Sequence, residues 1–297
     1  MTNSDLPAYA IQDALEAAQH LCRRNPDDNL LSPAALLSYT GAQGDALTEV
    51  LERVAPRMGA PTLYGGDSCG PNIRWQIDTR CLLLDSNEGS FRLTSHNASA
   101  LDQRERAVFE RGVGDAEGQV HTYADLPVLW QLARIGGTHQ LMPRCVAADW
   151  EQLEDSLRTL MLAWATQLPA QIGEGSVAFD IINRIDDNRP QTLLWGPDDG
   201  LTVMVDDEDA PIDDVEHAQA MEARGWHTRA VPVARWWVSS FEPDASGAVA
   251  AARLAVAELQ VRGARRPSDL GVANVVCTDA SGKEFGHLTL PGLGLQD

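Results

Sequence analysis

Serine, cysteine and aspartate meet at Gly66-Asp67-Ser68-Cys69-Gly70, which superficially resembles the nucleophile loop of chymotrypsin-like proteases. That loop reads G-D-S-G-G, and here cysteine occupies a glycine position whose bare backbone the chemistry needs. The reaction also requires an upstream histidine and aspartate. The only upstream histidine, His20, falls in a predicted helix with no partner pattern, so a solvent-facing loop is expected. No G-x-S-x-G elbow, phosphate-binding G-x-x-x-x-G-K-[ST] loop or dinucleotide-binding G-x-G-x-x-G turn is present.

Asp206-Asp207-Glu208-Asp209, followed by Asp213, Asp214 and Glu216, offers the carboxylate oxygens that hard cations take. A calcium loop needs its acids at alternate positions around a glycine, whereas these are consecutive and run into Pro211. The spacing therefore predicts a solvated loop, with Asp213 and Asp214 at a helix N-terminus where negative charge is favoured. The seven histidines (20, 96, 121, 139, 217, 227 and 287) contain no H-x-x-H, H-x-x-x-H or H-E-x-x-H pair. Cys22, Cys69, Cys81, Cys145 and Cys277 are odd in number, scattered and free of C-x-x-C, which implies reduced thiols rather than a disulfide framework or a zinc site. No catalytic residue, metal site or cofactor is assigned.

Tryptophan is the informative residue. Two of eight, Trp75 and Trp130, precede residue 148, and six follow it: Trp150, Trp164, Trp195, Trp226, Trp236 and Trp237. Successive strand side chains point to opposite faces, so Trp236 and Trp237 cannot share one core. Tryptophan dominates binding hot spots, and an exposed sheet face can accept a partner segment. Trp195, Trp226, Trp236, Trp237 and Phe241 are therefore the candidate peptide- or partner-binding residues.

The elements that must carry these residues alternate between helix and strand. Helices are predicted over 6–24, 45–58 and 98–111, with a short apolar helix over 126–135. Strands are predicted over 73–78, 81–85 and 91–95. In the second half, Asp149 reads as an N-cap with Gln152 three residues on. Trp150, Leu153, Leu157, Leu160, Met161, Trp164 and Leu168 then form the stripe of a helix with one buried face. Strands follow over 177–183, 191–195 and 201–205, then a helix over 213–224, an extended run over 231–241, an alanine-rich helix over 247–262, and a closing hairpin of 272–277 with 285–290. The order helix, three strands, helix occurs in both halves. The fold expected is α+β: two α+β domains, residues 1–147 and 148–297, each an antiparallel sheet with helices on one face.

Composition agrees with a folded chain. Its 297 residues exceed one average domain, and 44% hydrophobic with 22% charged is close to the globular norm. Forty-three acidic residues against 23 basic ones give a net charge of −20, and Lys283 is the only lysine. A chain this acidic repels phosphate, which sets nucleic acid aside as a partner. No apolar run approaches the roughly 18 residues of a membrane span, and the first residues lack a basic region followed by an apolar one. No membrane partner and a cytoplasmic location are expected.

The second half carries a recognisable order: an acidic hairpin, a helix ending Ala220-Met-Glu-Ala-Arg-Gly225-Trp226, an extended segment with Trp236-Trp237, and an alanine-rich helix ending near Pro267-Ser-Asp-Leu270. Over about residues 148–270 this resembles the actinobacterial YbjN-like and type III secretion chaperone-like domains, grouped as peptide-binding chaperones (TY-Chap). Arg224-Gly225-Trp226 stands where that family often has leucine, glycine and tryptophan. The resemblance implies helices on one face of an antiparallel sheet, no catalysis, and the holding of a protein or peptide client, often as a homodimer. The expected function is thus a non-enzymatic chaperone-like or adaptor protein. The alternatives are a hydrolase or transferase using His96, His121, Asp180 and Asp186 in an interdomain cleft, or an acidic immunity or antitoxin protein that neutralises a basic toxin.

Overall fold

The computed structural model describes residues 8–23, 34–87, 89–134, 142–185, 187–207, 214–231 and 234–296. The fold is α+β, built on two sheets. The first strands are β1 (Ala8–Ala10), β2 (Ala35–Ser38), β3 (Leu63–Gly66), β4 (Ile73–Ile77), β5 (Arg80–Asn87), β6 (Ser90–Asn97) and β7 (Trp130–Arg134). They alternate with α1 (Ala14–Arg23), α2 (Gln43–Met58) and α3 (Ala98–Arg111). The remainder comprises α4 (Trp150–Ile172), β8 (Ser176–Asn183), β9 (Asp187–Gly196), β10 (Gly200–Asp206), α5 (Val215–Ala223), β11 (His227–Val231), β12 (Ala234–Phe241), α6 (Ala245–Val261), β13 (Leu270–Thr278) and β14 (Gly286–Thr289).

The first sheet has the order β1-β2-β6-β5-β4-β3-β7-β14 and the second β11-β12-β10-β9-β8-β13. Every pairing is antiparallel except β1 with β2. Residues 286–289, beyond the expected 147/148 division, thus belong to the first sheet through β7.

Local sequence explains the helices that were legible. Asp149 accepts from the Gln152 amide at 2.9 Å and the Gln152 side chain accepts from the Ala148 amide at 3.0 Å, closing the first turn of α4. Asn97 and Asp244 cap α3 and α6 by accepting from the Ala100 and Gly247 amides at 3.0 and 2.8 Å.

Four expectations are corrected. The N-terminal helix starts at Ala14 rather than Leu6, because Ala8–Ala10 joins the sheet as β1. The helix expected over 126–135 is strand β7, in which Trp130, Gln131, Leu132 and Ala133 are all buried. A strand covered on both faces loses its alternation and reads as a helical apolar run. The closing hairpin divides instead, since β13 pairs with β8 in the second sheet while β14 pairs with β7 in the first. The acidic loop after β10 is not wholly solvated either, because Asp207 is buried.

Helices α1 and α2 cover one face of the first sheet over Ile73, Trp75, Leu82, Leu84, Phe91 and Leu93. α3 covers the opposite face through Leu101, and there Arg74 from β4 meets Glu105 at 2.8 Å. Helix α4 joins the two sheets. Gln171 donates to the Gly65 carbonyl at 3.0 Å and accepts from its amide at 3.2 Å. Gln167 donates to the Asp67 carbonyl at 2.7 Å and accepts from the Trp130 indole at 3.2 Å. The helix reads the backbone of β3 as a neighbouring strand would, and this requires glycine there. A Cβ on Gly66 would lie 1.6 Å from Gln167 Oε1. One apolar cluster consequently runs from Tyr64 and Trp130 through α4 to Trp237 and α6.

Candidate partner-binding face

The second sheet has two unlike faces, and β12 shows the difference residue by residue. Trp237 and Ser239 are buried, whereas Trp236 and Val238 are half-buried and Ser240 is exposed. Strand pairing aligns Leu201, Val203 and Val205 of β10 with Phe241, Ser239 and Trp237. Leu193 and Trp195 of β9, then Phe179 and Val177 of β8, extend this inner face. It packs against α4 and α6.

The alternating residues form the outer face. One row across the strands is Ala178, Leu194, Thr202 and Ser240; the next is Asp180, Thr192, Met204 and Val238. Asp206 and Trp236 pair beyond them. Ala178, Ile182, Leu194, Met204, Trp236 and Val238 are all partly exposed. None packs into the three apolar clusters of the described residues. At the β13 edge Val276 is 47% exposed. Asp180, the buried carboxylate on this face, accepts from Thr192 at 2.5 Å and from Asn274 at 2.7 Å.

The candidate binding residues divide accordingly. Trp236 lies on the outer face, while Trp195, Trp226 and Trp237 are core and unavailable to a partner. Phe241 is half-buried at the end of the inner face and packs on the core. Two of the buried indoles are fixed by internal carboxylates. Trp237 donates to Asp207 at 2.7 Å, and the same oxygen contacts His217 Nε2 at 2.6 Å. Trp226 donates to Glu258 at 3.3 Å, a carboxylate also held by Arg224 and Arg262, each at 3.0 Å. Burying a carboxylate is tolerated only with such partners. Met204, Leu194, Ala178 and Ile182 were not read from sequence as site residues. Their signal was local: Leu193-Leu194-Trp195 and Val203-Met204-Val205 place apolar side chains on both faces, as Trp236-Trp237-Val238 does.

The residues considered for chemistry do not converge. His96 contacts Thr94 at 2.8 Å and Arg104 at 3.2 Å under α3, and burial first, then Arg104, Arg74 and Arg92, push its pKa down to about 4. It is a neutral, structural imidazole at pH 7. His121 lies in a loop that lines a cleft beside the first turn of α4, Asp180 is on the outer sheet face, and Asp186 is outside the described residues. In the 66–70 loop, Asp67 accepts from the Cys69 and Gly70 amides at 2.7 and 3.1 Å, and Ser68 donates to the Ala124 carbonyl at 2.6 Å. These groups are committed to the turn. Burial raises Asp67 to about 6 against the pull of those two amides. Burial likewise pushes the Cys81 and Cys277 thiols up to about 12 and Cys145 to about 11, which leaves them unreactive. Asp214 caps α5 through the His217 amide at 2.9 Å; Asp213 and residues 208–212 lie outside the described residues. Among the described residues, no three His, Cys, Asp or Glu side chains are grouped to hold a metal, and no helix is long and apolar enough to cross a membrane.

Comparison with protein-family models, curated proteins and solved structures gives no match for this chain.

Proposed function

We propose that this protein is a non-catalytic, chaperone-like or adaptor module that holds a protein or peptide partner on the outer face of its second sheet. The observation that carries this reading is the partly exposed apolar row of Trp236, Val238, Met204 and Leu194, on neighbouring positions of β9, β10 and β12 and outside the core clusters. Contiguous exposed apolar surface with an aromatic anchor is what a protein interface supplies and what an isolated soluble chain avoids. The inner face is packed by helices, so the sheet can stay rigid while the outer face is occupied. The resemblance of residues 148–270 to peptide-binding chaperone domains points the same way, and dimerisation through this face is the corresponding self-association. Binding to an array of immobilised apolar peptides tests the reading. Trp236→Ala and Met204→Asp should each lower retention by about tenfold or more with folding intact, as expected for hot-spot positions. Unchanged retention by both variants would overturn it.

A further inference from the structure

A second, separate surface lies on the helical side of the same half. A cleft of about 760 Å³ opens between the start of α4, the C-terminal half of α6 and the loop through His121. That size falls within the roughly 300–1,000 Å³ of ligand sites. Its apolar lining comes from Val113, Trp150, Val256 and Ala257. Trp150 is half-buried and seated on the core, which leaves part of its indole facing the cleft.

The charges around it do not cancel. Arg158 is paired with Asp155, and Arg253 with Glu154 at 3.1 Å. Asp149 is engaged at the α4 cap by the Gln152 amide, and Glu151 is exposed with no ion pair among the described residues. Four carboxylates against two guanidiniums leave two negative charges uncompensated. An anion entering here would meet arginines already paired and acids that are not. A cation would meet Glu151 and the indole of Trp150, while the partial positive charge at the N-terminus of α4 is already answered by its cap Asp149. The net charge of −20 acts in the same direction at longer range.

We infer that this cleft binds a short cationic segment of a protein partner, in which arginine or lysine side chains alternate with apolar ones. The apolar lining takes the intervening side chains, which a free polyamine lacks. The cleft and the outer sheet face are on opposite sides of the second sheet, so failure here leaves the sheet-face reading standing.

The probe is acetyl-Leu-Arg-Leu-Arg-amide, titrated calorimetrically into the full chain, with acetyl-Leu-Glu-Leu-Glu-amide and spermidine as comparisons. Saturable one-to-one binding of the arginine peptide alone is expected. Glu151→Lys should weaken it by about tenfold or more, whereas Glu52→Lys, the same charge change on the exposed side of α2, should change it by less than about twofold. Trp150→Leu should also weaken it, with melting curves establishing that each variant folds. Equal losses in Glu151→Lys and Glu52→Lys would reduce the attraction to net charge and overturn the site. Equal affinity for the glutamate peptide or for spermidine would overturn the ligand class, as would absence of binding.

Discussion

Adjacent tryptophans on β12 should respond to substitution in opposite ways. Trp237 is completely buried, and its indole N–H serves a carboxylate that is itself 4% exposed. An indole of roughly 200 Å² at about 25 cal/mol per Å² corresponds to ~5 kcal/mol, in line with the ~3–5 kcal/mol of core aromatic truncations. Trp237→Ala should therefore cost about 4 kcal/mol or more, since Asp207 also loses a donor. Trp237→Phe separates the two contributions. It keeps most of the ring but removes the indole donor from Asp207, which keeps its contact with His217, a loss of about 1.5–3 kcal/mol for a hydrogen bond to a charged group. Trp236 is partly solvated and makes no contact with the core clusters, so Trp236→Ala should cost about 1 kcal/mol or less. Urea unfolding followed by far-UV circular dichroism measures all three from the shift in midpoint at constant slope. Comparable losses for Trp236→Ala and Trp237→Ala would refute the assignment of faces, and a neutral Trp237→Phe would refute the role of Asp207.

Three further outcomes follow from other parts of the molecule. Gly66→Ala should destabilise by about 2 kcal/mol because the new methyl displaces Gln167, and its cost should fall by more than half in a Gln167→Ala background, a coupling that a double-mutant cycle reads directly. Asp67 has a folded pKa near 6, above its unfolded value, so its contribution is present below pH ~4 and is lost as pH rises through 6. Asp67→Asn should accordingly raise the melting temperature at pH 8 relative to wild type and give no such gain at pH 4; an equal gain at both would refute burial as the cause. Deleting residues 284–297 removes β14 and the turn that accepts from Ser156, and should expose β7 and the end of α4. A fold whose two sheets share one core then loses its cooperative melt, whereas independent halves would keep a transition for the first.

Sequence carried the elements whose stabilising contacts are local. The caps Asn97, Asp149 and Asp244 and the apolar stripe of α4 lie within a few residues of what they stabilise. What failed to show depends on distant chain. β7 looked helical because its second covering layer is α4, which begins 16 residues after the strand ends. β3, with Leu63-Tyr-Gly-Gly66, has little strand propensity and is held by glutamines about 100 residues away. The same holds at the candidate site. Strand period established that Trp236 and Trp237 part, but which is core was decided by α6 and by Asp207, 30 residues earlier in the chain.

The most direct test of the central reading is photocross-linking from the sheet face in the native host. Benzoylphenylalanine placed at Val238 or at Met204 should form an adduct with one partner species identified by mass spectrometry. The adduct should disappear when Trp236→Ala is added, and placement at Glu52 on the far helix should give none. No adduct from either sheet position, or the same adducts in the same yield from Glu52, would contradict the assignment of this face to a partner.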